Sequence, residues 1–144
     1  MEKTDFEEFK TVTQTLMKEE FKKVDQLSPK VFYLRHDEYV MIQQIAPESM
    51  SSIENKELLA QSIKEICQDP IVRAAVFISE VNIRDNAGNK KADGLMQVFS
   101  SFSGDTITMY RVDSKNREIL NLEYELKDEN VTGRFTGWFQ WNKN

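Results

Sequence analysis

Ile71-Val72-Arg73-Ala74-Ala75-Val76-Phe77-Ile78-Ser79-Glu80-Val81-Asn82-Ile83 is the most apolar run of the chain and is rich in β-branched residues. Pro70 stands before it, and the polar stretch Asp85-Asn86-Ala87-Gly88-Asn89-Lys90-Lys91 comes after Arg84. A run of this kind reads as a strand buried on both faces, with other elements laid against it. It also contains Glu80, an acid placed where solvent should be scarce.

The flanks read as two helices and a set of short strands. From Thr4 to Leu27, Phe6, Phe9, Val12, Leu16, Met17, Phe21, Val24 and Leu27 fall within about half of a helical wheel. Thr4 and Glu7 fit a capping box, and Ser28-Pro29 ends the segment. Asn55 to Gln68 is a second amphipathic helix, with Leu58, Leu59, Ile63, Ile66 and Cys67 on one side. Between them, Val31–Leu34 and Tyr39–Ile45 form a hairpin candidate around Arg35–Glu38. After the central run, strands are expected over Leu95–Phe102, Thr106–Val112, Glu118–Leu126 and Thr132–Trp141, separated by short polar turns. Short connections imply an antiparallel meander. Leu120, Leu122, Tyr124 and Leu126 alternate onto one face of it.

The fold class that follows is α+β. A single, mostly antiparallel twisted sheet of five to seven strands carries two helices on one face, in the order α-β-β-α-β-β-β-β-β. The chain has 144 residues, enough for one domain with its own core. Hydrophobic residues are 40% and charged residues 30%, which places it among globular chains.

Composition narrows function mainly by exclusion. A net charge of -5 gives no overall attraction for phosphate backbones or anionic lipid, which disfavours nucleic acid. No apolar run reaches membrane-spanning length. The polar start Met1-Glu2-Lys3-Thr4-Asp5 lacks the apolar core of a signal peptide, so a cytoplasmic location is expected. One cysteine and one histidine rule out a disulfide within the chain and a cysteine-rich zinc site. No glycine-rich phosphate loop follows a strand, and no cofactor is expected.

Four features carry some chemistry. Glu80 shares a strand side with Val76 and Ile78. Burial would raise its pKa, while pairing with Arg73 or Arg111 would lower it. It is the candidate general acid or base, set against a plain structural ion pair near the strand end. His36-Asp37 is a metal pair in other settings, but this chain has no further histidine, so a solvated turn is the better account. Asp85–Asn89 has Ala87 where a calcium loop needs an oxygen ligand, and reads as a flexible loop. Among the C-terminal aromatics, Trp138 and Trp141 are binding candidates for an exposed patch, set against a core role for Phe135 and Phe139 with Trp138 covering the other face.

From Val31 to about Val112 the chain resembles a loosely defined group of small uncharacterised proteins of bacteria and their phages. The likeness lies in a hairpin, a Lys- and Leu-rich helix, and a central strand ending in an apolar-Ser-Glu-apolar step, here Ile78-Ser79-Glu80-Val81. The group often continues Ala-Trp, where this chain has Val81 and Asn82. The resemblance implies the fold and a phage or mobile-element setting, and it carries over no activity and no functional residue.

The expected function is therefore a non-enzymatic binding or interaction module, with a protein partner or a second copy as its ligand. The alternative is a small enzyme using Glu80 as general acid or base near Arg73, Arg111 or Tyr110. A cleft holding Glu80 and a second convergent polar group would favour the enzyme. An open sheet edge or exposed apolar patch would favour the module.

Overall fold

The computed structural model describes residues 2–128 and 135–139. Its elements are helix α1 (Glu2–Lys23), strands β1 (Lys30–Arg35) and β2 (Val40–Gln44), a short 3₁₀ turn (Pro47–Met50), helix α2 (Ile53–Cys67), and strands β3 (Val72–Arg84), β4 (Lys90–Ser101), β5 (Gly104–Asp113) and β6 (Glu118–Lys127). The strands form one six-stranded sheet in the order β2-β1-β3-β4-β5-β6, with every pairing antiparallel. The fold is α+β with a single open sheet.

The opening run is the central strand, and both its faces are covered. Val76 and Ile78 face a core containing Phe9, Met17 and Phe21 of α1. Ala75 and Phe77 face a second core containing Leu59, Ile63 and Cys67 of α2. This corrects the expectation that both helices pack on one face. Side chains alternate across a strand, so a strand apolar at successive positions from Ala74 to Ile78 needs cover on both sides, and one helix serves each.

Local chemistry sets the helix ends. The Ser52 side chain caps α2 by accepting the Asn55 N–H at 3.1 Å. Helix α1 begins at Glu2, so Thr4 lies within it rather than at its cap, and it ends at Lys23, before Leu27. Buried Gln97 of β4 fixes α1 to the sheet. Its amide donates to the Lys10 carbonyl at 3.0 Å and the Thr13 hydroxyl at 2.9 Å, and its oxygen accepts from Gln14 at 2.9 Å. A fully buried amide satisfied on both ends holds the helix in register as well as in contact.

The β3–β4 connection is a tight turn. The Asp85 side chain accepts the N–H groups of Ala87 and Asn89, both at 2.9 Å, and Gly88 adopts a φ of 85°. An Asx-type turn has replaced the expected flexible loop, and β4 starts at Lys90. At Gly94 a Cβ would come within 2.8 Å of Ile83 and 2.9 Å of Met109, so only glycine lets β3 and β5 side chains close over β4 there.

Two register shifts interrupt the β5–β6 pairing. Leu122 pairs with Tyr110 while Tyr124 pairs with Met109, so the leucines of β6 do not keep to one face as strict alternation required. The strand expected over Thr132–Trp141 lies mostly outside the described residues. Within it, 135–139 contains turns and no strand. There Trp138 and Phe139 enter the α2-side core, and Phe135 stacks on Phe77 with centroids 4.6 Å apart. Buried Asp105 secures this segment: one oxygen accepts from Ser100 at 2.6 Å and the other from the Gly137 N–H at 3.1 Å.

Candidate functional site

Glu80 sits on the α1 side of β3, where that strand has outrun its neighbour. The last β1 partner is Lys30, opposite Ile78. From Ser79 onward the chain crossing from α1 to β1 lies alongside β3 across a cleft. The Glu80 carboxylate accepts the Leu27 N–H of that crossing. Its other partner is Arg117, which donates to both carboxylate oxygens at 2.7 and 3.2 Å. The same guanidinium donates to the Phe21 carbonyl at 3.0 Å and lies 3.9 Å from the Phe21 ring. One half-buried ion pair thus joins the end of α1, the central strand and the β5–β6 turn. A planar fork suits this bidentate, stacked role.

The sequence suggested Arg73, Arg111 or Tyr110 as partners, and none of them fills that place. Arg73 is at the other end of β3, over the Phe6 ring at 4.7 Å. Arg111 pairs with Glu123 at 3.0 and 3.1 Å. Tyr110 lies beneath the Lys18 ammonium at 4.3 Å. Arg117 is 37 residues from Glu80 and occupies a turn with a φ of 55°. Charge was the only sequence signal for it, and Arg111 carried the same signal.

A cleft of about 530 Å³ opens beside Glu80, lined also by Leu27, Pro47, Met50, Lys56 and Arg84. Ser79 and Asn82 share that lining with Glu80. Both oxygens of Glu80 are engaged by a guanidinium, and a backbone amide shares one of them, an arrangement that positions chain segments. Lys56 and Arg84 are the cations of its lining, and Arg84 donates to the Gly88 carbonyl at 3.0 Å.

The other sequence candidates separate cleanly. His36 is in the β1–β2 turn, its N–H bonded to the Ile71 carbonyl at 2.7 Å, and its neighbour Asp37 pairs with Arg35 at 2.7 Å. Cys67 is in the α2-side core, where burial pushes its thiol up to about 12. Trp138 is only 1% exposed, so it is a core residue and not part of an exposed patch. The fold needs an apolar lid on the α2 side of β3 to β5, and that is where its ring goes. Trp141 lies outside the described residues. Among the described residues no group of three or more His, Cys, Asp or Glu is placed to hold a metal, and no helix is long and apolar enough to cross a membrane.

The surface that sequence reading missed is β2, which among the described residues is an edge of the sheet. Its five residues, Val-Met-Ile-Gln-Gln, carry no charge, and they pair with β1 in unbroken register. Val40 and Ile42 face the α1 side and are 46% and 58% exposed. Helix α1 runs in the same direction as β2, since Phe6 lies by Arg73 while Phe21 reaches the Glu80–Arg117 pair. Val12 and Val40 line one groove of about 260 Å³. One helical turn on stands Leu16, and two strand residues on stands Ile42. Val12 and Leu16, which the wheel placed in the core, remain 49% and 45% exposed. On the opposite face Gln43 lines a shallow groove with Leu58 of α2, which is 71% exposed. The uncharged strand therefore has an apolar row, Val12, Leu16, Val40 and Ile42, on its α1 side, with Glu8 and Glu38 at the end of that groove, while the α2-side groove sets Leu58 and Leu59 among Glu48, Ser49, Asn55 and Ser62.

No protein-family model matches this chain, and no characterised protein or solved structure is significantly similar to it.

Proposed function

We propose that the protein is a non-enzymatic interaction module that binds another polypeptide along the β2 edge. The observation that carries this reading is an edge strand with no charge, no bulge and exposed apolar rows on its α1 side. An exposed edge offers a row of unpaired N–H and C=O groups, and proteins ordinarily blunt such edges with charge, proline or bulges. Strand addition uses those groups for affinity and the flanking side chains for specificity. The committed state of Glu80 supports the same reading, because a carboxylate engaged through both oxygens is a poor general base. The resemblance to small bacterial and phage proteins supports an accessory role in a phage or mobile element.

Hydrogen exchange on the dilute, isotope-labelled chain tests this in buffer and in lysate of its source cells. The amides of Val40–Gln44 should exchange several-fold more slowly in lysate, and those of β6 should not change. An absence of protection across β2 in both buffer and lysate would overturn the reading.

A further inference from the structure

Resting on that reading, we infer that the occupant of the β2 edge is a second copy of this chain, paired antiparallel about a two-fold axis normal to the sheet and centred on Ile42. Such an axis reverses the strand, brings the two β2 edges together and keeps each face on its own side. The result is a continuous twelve-stranded sheet, the six strands of one copy joined to those of its partner.

Three observations favour a copy over another ligand. The first is the pattern of charge. With Ile42 opposite its own mate, Val40 meets Gln44 and Met41 meets Gln43, so no charged residue opposes another along the strand. Glu38, the nearest carboxylate in sequence, is separated from its mate by about 26 Å at strand spacing, well beyond the screening length of roughly 8 Å. Carboxylates line the flanking grooves, Glu8 and Glu38 on the α1 side and Glu48 on the α2 side, but along the paired strands no carboxylate opposes another.

The second is the apolar row on the α1 side. A partner must bring apolar cover above its own strand there. A single extended peptide brings only its own side chains. A second copy brings Val12 and Leu16 of its own helix to that face. The third is extent. Val12, Leu16, Val40, Ile42 and Leu58 are 45–71% exposed, and a two-fold contact covers each of them twice.

Sedimentation velocity on the purified full chain over a wide concentration range tests this. The wild type should pass from monomer to dimer as concentration rises. Ile42→Lys sets two like charges directly opposite and should leave only monomer. Ile42 is more than half exposed, so an unchanged circular dichroism melt should show the fold intact. The register is tested by charge exchange. Val40→Glu alone and Gln44→Lys alone should each weaken the dimer about tenfold, because each change acts twice across the axis. The double variant sets Glu opposite Lys at both ends and should recover that loss. Three results overturn the inference: a wild type monomeric at every concentration, a dimer indifferent to Ile42→Lys, or a double variant no tighter than the singles. If the purified chain is monomeric while β2 is protected in lysate, the second copy is excluded and the interaction reading stands. If β2 is protected in neither, both fall.

Discussion

Among the described residues the sheet ends in two edges, and they are built differently. Among the described residues, β2 closes one side with five uncharged residues in regular register. At the other side β6 has ten residues, including Glu118, Glu123, Glu125 and Lys127, with two register shifts against β5. Glu123 is held by Arg111 and reached by Lys91 at 3.3 Å, while Glu125 is reached by Lys10 at 3.4 Å. Charge and bulges are the usual means of keeping a sheet edge from pairing. The longer edge is guarded by both and the shorter by neither. An unguarded edge next to a guarded one in the same sheet points to use of the former.

The largest effect comes from the strand between the edges. Phe77→Ala removes a ring buried at the centre of the α2-side core and stacked on Phe135, and should cost about 3–5 kcal/mol in denaturant unfolding. Because both edges depend on β3, hydrogen exchange in β2 and β6 should accelerate together. If one edge sped up alone, the sheet would not be a single cooperative unit.

Glu80→Gln should come next, at about 1–3 kcal/mol, since it leaves a half-buried guanidinium without its carboxylate. The loss should be local. Arg117 belongs to the β5–β6 turn, so exchange should rise there and at the end of α1, and stay unchanged in Val40–Gln44. Full stability in this variant would remove the structural account of Glu80 and reopen its role in the cleft. A smaller change separates charge from bulge as the guard of β6. Glu123→Thr with Glu125→Thr should alter stability by about 1 kcal/mol or less, but should produce new self-association that survives Ile42→Lys. If no such association appears in light scattering, the bulges alone guard that edge.

Much of this was legible in the sequence, and the failures have physical causes. The run Ile71–Ile83 was read as a central strand because apolar residues at successive positions leave no solvent face. The same fact implied helices on both sides, so the one-face arrangement contradicted its own premise. The hairpins followed from turn residues within a few positions of each other. The Glu80–Arg117 pair did not, because it joins groups far apart in the chain, and sequence marks no difference between Arg111 and Arg117. Trp138 was misread because Phe135, Trp138, Phe139 and Trp141 fit a strand pattern in sequence, whereas the described residues 135–139 form turns held by Asp105. The β2 edge was missed for a related reason. Val40 and Ile42 alternate as any half-buried strand does, and which strand lies at an edge is a property of topology.

The smallest effect is the pH dependence of the guarded edge, and its sign can be worked out. Hydrogen bonds from Arg111, and then from Lys91, hold the Glu123 carboxyl below its ordinary value of 4.5. Glu125 is lowered too: its partial burial works the other way, but the Thr108 hydroxyl and Lys10 outweigh it. A carboxyl with a lowered pKa binds fewer protons folded than unfolded, so it adds stability above the unfolded value. That contribution is lost as pH falls below about 4.5 and through the folded values. β2 has no titrating group and makes no such contribution. Melting temperatures from pH 7 to pH 3 should therefore fall more steeply for the wild type than for Glu123→Gln, whose side chain does not titrate. Over the same range hydrogen exchange should loosen first in β6, while β2 follows only the global transition. Parallel pH profiles for the two proteins would show that the Arg111–Glu123 pair leaves β6 no firmer than an uncharged edge.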